Sequence, residues 1–236
     1  MEAVVLAGGQ GTRLLPLTSD LPKALAPVGG RPVIEILLQR FRQFGVTKVH
    51  LAVNHLADQI ETALGDGSKF GLEICYSHEP EPLSTVGPIT LVENLPDRFI
   101  VANADILTDL DLVMLAEEHE RSGCKLTVAT CLRTDKMEYG VFEITGDGRV
   151  AAFTEKPSYQ FRVSMGVYIF SKAVLKYVPP RTRFGFDDLI TTLLAKYEPI
   201  HTVLHKGFWL DIGRVQDYLR ANSDDADQIA RLTAPR

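Results

Sequence analysis

Three glycines stand within four positions in Gly8-Gly9-Gln10-Gly11, and Thr12 and Arg13 follow at once. Glycine has no Cβ, so such a loop lets the backbone approach an anion closely and aim its N–H groups at it. Arg13 adds a planar fork of donors matched to phosphate oxygens. Lys23, preceded by Pro22, supplies a point charge further along. The chemistry these residues allow is the gripping of a polyphosphate. The same string also suits a tight strand-to-loop turn carrying a surface arginine. Two rival phosphate motifs fail. A dinucleotide-binding GxGxxG needs glycine at position 14, where Leu14 stands, and no GxxxxGK[ST] occurs. A nicotinamide oxidoreductase is weakened accordingly.

Hard divalent ions take oxygen ligands, commonly one or two carboxylates completed by substrate phosphates. Asp105 lies just past the apolar run Phe99–Asn103, and Asp211 lies in Trp209-Leu210-Asp211-Ile212-Gly213. Each also fits a turn or helix-cap role. Asp187-Asp188 opens a helical stretch and reads as capping. The six histidines show no HxxxH or other metal spacing. Cys75, Cys124 and Cys131 are odd in number and form no CxxC, which argues against a disulfide framework and a zinc site and suits a reducing compartment.

The elements that must position these residues alternate in the first half. Residues 2–7 form a continuous apolar run, as a strand buried on both faces does. Pro32 opens a helix with Val33, Leu37, Phe41 and Phe44 on one face, closed by Gly45. Strands follow at Val46–Val53 and Leu72–Tyr76, with a short helix through Leu56, Ile60 and Leu64 between them. Residues 79–88 make a Pro-rich loop, Ile89–Leu95 a helix, and Phe99–Asn103 another buried strand. This βαβαβ rhythm predicts an α/β fold with a Rossmann-like, doubly wound, mostly parallel sheet in three α/β/α layers. In such sheets ligands bind at the carboxyl ends of the strands, so the loops after residues 7, 76 and 103 are the expected site.

The second half reads as strands at Leu126–Leu132 and Val163–Phe170, with an accessory hairpin of Val141–Ile144 and Arg149–Thr154 around Gly146-Asp147-Gly148. Helices are expected near 171–177, 187–196 and 214–222. The whole reads as one domain over 1–222 with a polar, frayed tail over 223–236. At 236 residues and 45% apolar content the chain supports one sizeable core. A net charge of −5 provides no global field for nucleic acid or an anionic membrane, so phosphate binding must be local. The opening residues lack a basic region and read as a strand, not a signal peptide. No apolar run approaches the roughly 20 residues of a membrane helix. The expected setting is the cytoplasm.

The string Leu6-Ala7-Gly8-Gly9-Gln10-Gly11-Thr12-Arg13-Leu14, with Pro16-Leu17-Thr18, Pro22-Lys23-Ala24 and Pro27-Val28, resembles the signature of the sugar-1-phosphate nucleotidylyltransferases. The likeness extends to mannose-1-phosphate and heptose-1-phosphate guanylyltransferases. It implies a nucleoside triphosphate and a sugar-1-phosphate as substrates and Mg²⁺ as cofactor. It implies that Leu6, Ala7, Gly8, Gly9, Gly11, Thr12 and Arg13 hold the nucleotide, with Arg13 and Lys23 steadying the transferring phosphoryl group. Asn103-Ala104-Asp105 resembles the family's metal-binding Asn-Gly-Asp turn. Trp209-Leu210-Asp211-Ile212-Gly213 resembles its late Trp-x-Asp-Ile-Gly motif. Asp105 and Asp211 would then share the metal. Ala24 and Ala104 depart from the family's proline and glycine.

Glu79-Pro80-Glu81-Pro82-Leu83-Ser84-Thr85-Val86-Gly87-Pro88 resembles the base-reading loop, and Glu81, Thr85 and Gly87 are the expected contacts. A carboxylate only accepts and can take both N1–H and N2–H of guanine, which favours GTP over UTP, CTP or dTTP. Glu79 and Glu81 also suit solvated loop charges. On the sugar side, Tyr139-Gly140-Val141 and Glu155-Lys156-Pro157 resemble family motifs, so Gly140, Glu155 and Lys156 are expected there together with Asn103. Ser164-Met165-Gly166 stands where the family often has Asn-Ala-Gly. The lost amide and the bulk of Met165 point to a sugar other than glucose or mannose, such as a heptose, a deoxy sugar or an amino sugar; core packing is the competing role for Met165. A non-catalytic nucleotide-sugar sensor is the rival of another class. A homodimer stays open.

Overall fold

The computed structural model describes residues 1–233. The strands are β1 (Glu2–Leu6), β2 (Pro27–Val28), β3 (Arg31–Pro32), β4 (Lys48–Val53), β5 (Glu73–His78), β6 (Arg98–Asn103), β7 (Ile106–Thr108), β8 (Leu126–Lys136), β9 (Val141–Ile144), β10 (Val150–Thr154), β11 (Ser158–Ser171), β12 (Ile200–Leu204) and β13 (Trp209–Asp211). The helices are α1 (Val33–Gln43), α2 (Ala57–Leu64), α3 (Leu112–Ser122), α4 (Phe186–Ala195), α5 (Val215–Ala221) and α6 (Ala226–Leu232).

Seven strands form the central sheet in the order β12-β8-β11-β6-β1-β4-β5. All neighbours pair in parallel except β11, which runs antiparallel to both β6 and β8. The expected mostly parallel α/β architecture is what folds. Alternation along β1 shows why the sheet needs cover on both faces. Ala3 and Val5 enter one apolar cluster with residues of α1, α2 and α3, while Val4 enters a second with Leu189 and Leu193 of α4. Successive side chains of a strand point to opposite faces, so the two clusters are the two cores of a three-layer fold.

A third, smaller cluster joins Leu14, Val33, Ile36, Leu107, Leu210, Ile212, Ala221, Ile229 and Leu232. It ties the segment after the glycine loop to β7, β13, α5 and α6. The expected polar tail is corrected here. Residues 226–232 are helical, with Ile229 and Leu232 only 3% and 4% exposed, because an apolar pair at i, i+3 finds this cluster to pack against. Residues 234–236 of that expected tail lie outside the described residues.

Two local expectations also change. Ile89–Leu95 is not a full helix; a single tight turn over Gly87–Leu91 takes its place. The helix α3 is an addition to the expected elements; Asp111 caps it by accepting N–H bonds from Val113 and Met114 at 2.9 and 3.0 Å. The far halves of β8 and β11 run past the sheet and, with β9 and β10, form an exposed arm that carries the expected hairpin.

Candidate active site

The carboxyl ends of β1, β5 and β6 open on one side of the sheet and enclose a cavity of about 300 Å³. Leu6, Ala7, Gly8 and Gly9 wall it from β1, Glu79 from β5, and Asn103, Ala104 and Asp105 from β6. Lys23, Pro82, Ser84 and Thr85 complete the wall. These are the strand ends where an α/β sheet holds its ligand.

The glycine positions follow from space and dihedral. A Cβ on Gly8 would stand 2.3 Å from Glu79 Oε1. Gly11 has φ +64° and sits tightly on Thr18, whose hydroxyl donates to the Gly11 carbonyl at 2.7 Å. That left-handed conformation suits glycine and turns the chain into the short helical turn Thr12–Leu14. Thr12 and Arg13 are exposed on this turn. Arg13 does not line the first cavity; it lines a second basin of about 490 Å³ together with Asp211.

Asp105 and Asp211 converge. β7 and β13 pair antiparallel with Ile106 opposite Asp211, and the Ile212 N–H donates to the Asp105 carbonyl at 3.1 Å. Lys23 Nζ forms an ion pair with Asp105 and lies 4.0 Å from Asp211. The Oδ1 of Asp211 is buried without a hydrogen-bond donor. Burial, and then the Asp105 carboxylate, push Asp211 up to about 6, against the opposing pull of Lys23.

This donor set fits a divalent cation. Two carboxylates face one point, one oxygen is left unsatisfied, and an ammonium group stands where positive charge is required. Among the described residues no group of three or more His, Cys, Asp or Glu side chains is placed to hold a metal. Two carboxylates completed by substrate phosphate and water is the arrangement a magnesium-type ion favours.

The base-side loop departs from expectation at its carboxylate. Glu81 is exposed and lies outside the cavity lining. Glu79, directly after β5, faces the cavity instead. Its Oε2 accepts the Leu83 N–H at 2.9 Å, and Asn54 Nδ2 holds its backbone carbonyl at 2.9 Å. Burial raises the Glu79 carboxyl, opposed by the Leu83 N–H. The signal for Glu79 was its place at a strand's carboxyl end; matching Glu81 to a motif obscured it. Thr85 lines the cavity, and its hydroxyl accepts the Phe186 N–H at 2.8 Å. Gly87 is buried beneath the loop. Its N–H donates to the Phe184 carbonyl at 2.9 Å, and a Cβ would stand 2.5 Å from the Thr182 carbonyl oxygen. Its glycine is required by packing.

Of the sugar-side residues, Asn103 walls the first cavity, whereas Gly140, Glu155, Lys156 and Ser164 are not gathered there. Gly140 packs against the Phe153 ring, where a Cβ would stand 2.4 Å from the ring and 2.9 Å from Glu155 Oε2. Glu155 and Lys156 are exposed on the arm, outside both cavities, with Lys156 at φ +44°. The Ser164 hydroxyl donates to Tyr168 Oη at 3.1 Å and accepts the Gly166 N–H at 3.3 Å, beside a bulge between Ser164 and Tyr168. Asn103 fills the space over Gly166, where a Cβ would stand 2.8 Å from Nδ2. Met165 is fully buried in the core, and its carbonyl accepts Trp209 Nε1–H at 2.9 Å. It adds no bulk to a sugar pocket, which corrects that expectation.

A glycine-walled cavity at the first strand, with two carboxylates meeting beside it, is an arrangement suited to a phosphate and a cation. The Nucleotidyl transferase family model matches residues 2–228, and the chain belongs to that family. It is 32% identical to the UTP–glucose-1-phosphate uridylyltransferase of Synechocystis sp., over 94% of this chain and 62% of the relative. It is 32% identical to the mannose-1-phosphate guanylyltransferase catalytic subunit beta of Drosophila pseudoobscura pseudoobscura, over 92% of this chain and 60% of the relative. The chain thus spans about three fifths of the length of these curated relatives. HddC from Yersinia pseudotuberculosis, solved in complex with GMP-PN, superposes with a TM-score of 0.73 at 27% identity, over 94% of this chain and 98% of that one. Among the described residues no helix is long and apolar enough to cross a membrane.

Proposed function

We propose that this protein transfers a nucleoside monophosphate from a nucleoside triphosphate to a sugar-1-phosphate, giving a nucleotide sugar and pyrophosphate, with Mg²⁺ as the cation and GTP as the favoured donor. The observation that carries the reading is the meeting of Asp105, Asp211 and Lys23 at the edge of the glycine-walled cavity.

The base and ribose lie against Leu6–Gly9, Glu79 and Thr85, with the α-phosphate beside Lys23. The sugar-phosphate oxygen is already ionised near neutral pH and needs no general base. It attacks the α-phosphorus in line, and the bond from that phosphorus to the β-phosphate oxygen breaks. A divalent ion held by Asp105 and Asp211 would neutralise charge on the phosphate oxygens. Lys23 exchanges its carboxylate partner for a phosphate oxygen, and Arg13 meets the departing pyrophosphate. Catalysis here is positioning and electrostatics. The roles of Gly140, Glu155, Lys156 and Ser164 toward the sugar rest on motif resemblance alone.

The choice of GTP rests on Glu79, an acceptor-only group at the cavity wall suited to the paired donors of guanine. The uridylyltransferase among the relatives supports UTP as the second reading. A matrix of triphosphates against sugar-1-phosphates, read by pyrophosphate release, tests both. Release with GTP and at least one sugar-1-phosphate is expected; silence across the whole matrix with Mg²⁺ present sinks the assignment.

A further inference from the structure

The second basin has Asp211 in its wall, and the Asp211 carboxylate lies 4.0 Å from Lys23, which lines the first cavity. Its wall carries Arg13, Arg133, Arg214 and Arg220. Arg133 is neutralised by Asp135 at 3.2 Å, and Arg220 by Asp225 at 2.8 Å. Arg13 and Arg214 make no ion pair among the described residues, and both are exposed to the basin. The remaining carboxylates in the wall are Asp211, which Lys23 approaches, and Asp217.

The backbone fixes where Arg214 stands. Asp211 ends β13, and Gly213 turns so closely over it that a Cβ would lie 3.2 Å from Asp211 Oδ1. Arg214 follows at once, on the basin side of the carboxylate pair. The basin therefore presents two guanidinium groups from distant segments, Arg13 and Arg214, with no ion pair among the described residues, in the wall that also holds Asp211, whose carboxylate lies 4.0 Å from Lys23 of the first cavity.

An in-line displacement at the α-phosphorus sends the β- and γ-phosphates away from the attacking sugar-phosphate oxygen. With the base in the first cavity and the α-phosphate beside Lys23, the basin is within reach of the leaving phosphates, since its Asp211 lies 4.0 Å from Lys23. Resting on the reading above, we infer that Arg214 is a second pyrophosphate-binding residue, facing Arg13 across the departing group. Two planar forks match the several anionic oxygens of pyrophosphate better than one, and the charge they meet grows as the bond to the α-phosphorus breaks.

The test compares wild type with Arg214→Gln and Arg214→Lys in the reverse direction, from nucleotide sugar and pyrophosphate. Arg214→Gln is expected to raise the KM for pyrophosphate about 10- to 100-fold, the effect of losing one charge-assisted contact, and to leave the KM for the nucleotide sugar unchanged. Arg214→Lys recovers part of the loss. Calorimetric titration of inorganic pyrophosphate with Mg²⁺ into the same proteins gives a readout independent of turnover, and an unchanged melting temperature checks the fold. Equal pyrophosphate affinity in wild type and Arg214→Gln overturns the inference, as does an effect confined to the sugar-1-phosphate. A wild type that binds pyrophosphate yet turns over no substrate pair defeats the proposed function and not the role of Arg214.

Discussion

Glu79 Oε1 occupies the space a side chain on Gly8 would need: a Cβ built there stands 2.3 Å from it. The glycine loop and the Glu79 carboxylate are thus one packed unit, drawn from the ends of β1 and β5. Gly8 has no positive φ, so alanine meets no backbone strain there, and the atom it displaces is the end of a flexible side chain. Gly8→Ala is expected to melt within a few degrees of wild type while losing at least about tenfold in GTP affinity, since Glu79 must swing away (~1.4 kcal/mol per tenfold). Calorimetry beside a thermal melt checks this; undiminished GTP binding would show that the contact is incidental.

Glu79 and Glu81 separate cleanly by mutation. Glu79→Gln replaces an acceptor-only group with one that also presents donors, and a lost bond to a charged group costs about 1.5–3 kcal/mol. The preference for GTP over UTP is expected to fall about 10- to 100-fold. Glu81→Gln, on the exposed face of the loop, is expected to change nothing. The opposite ranking would restore Glu81 as the base-reading residue.

Asp105 is 8% exposed and paired to Lys23. Asp105→Asn keeps its shape and removes its charge. Turnover is expected to drop by about 10²–10³-fold, the scale of losing one electrostatic stabiliser, with Mg²⁺ affinity falling alongside. Steady-state kinetics and a metal titration read both quantities, and full activity in this variant is incompatible with the proposed cation site.

Asp211 sets a pH dependence. Its carboxyl, at about 6 in the fold against 3.8 ordinarily, binds its proton more tightly when folded. That contribution to stability is fully present below 3.8 and is lost as pH rises through about 6. Metal-free protein is expected to melt lower at pH 7 than at pH 5, apart from its other titrating groups. Mg²⁺ is expected to raise the melt more at pH 7, because only the ionised carboxylate binds it. In Asp211→Asn both the pH step and the Mg²⁺ shift should shrink; a profile identical to wild type assigns them to other groups.

Ile229 anchors α6 in the cluster that also holds Leu14, Leu210 and Ile212, so the last helix braces the glycine-loop segment and β13 together. Ile229→Ala is expected to cost about 2–5 kcal/mol, as large-to-small core changes do. Denaturant unfolding measures it. A cost near zero would mean that α6 is a passenger.

The sequence by itself determined what local chemistry encodes. Glycines at Gly8, Gly9 and Gly11 mark where the backbone must stay open, and apolar runs such as Val4–Leu6 and Phe99–Ala102 mark buried strands. Both signals act over a few residues, so the alternating fold and the loops at its strand ends were legible. Asp105 and Asp211 could be suspected from their motifs, yet by pattern alone each was also an ordinary turn or cap acid. Only the tertiary structure brought them together, because the β7–β13 pairing is a long-range contact with no local signature. It likewise turned Glu79, and not Glu81, into the cavity wall, since the strand end fixes which side chain faces inward. It buried Met165 in the core and docked α6, whose two apolar residues matter only once the cluster around Leu14 and Ile212 exists to receive them.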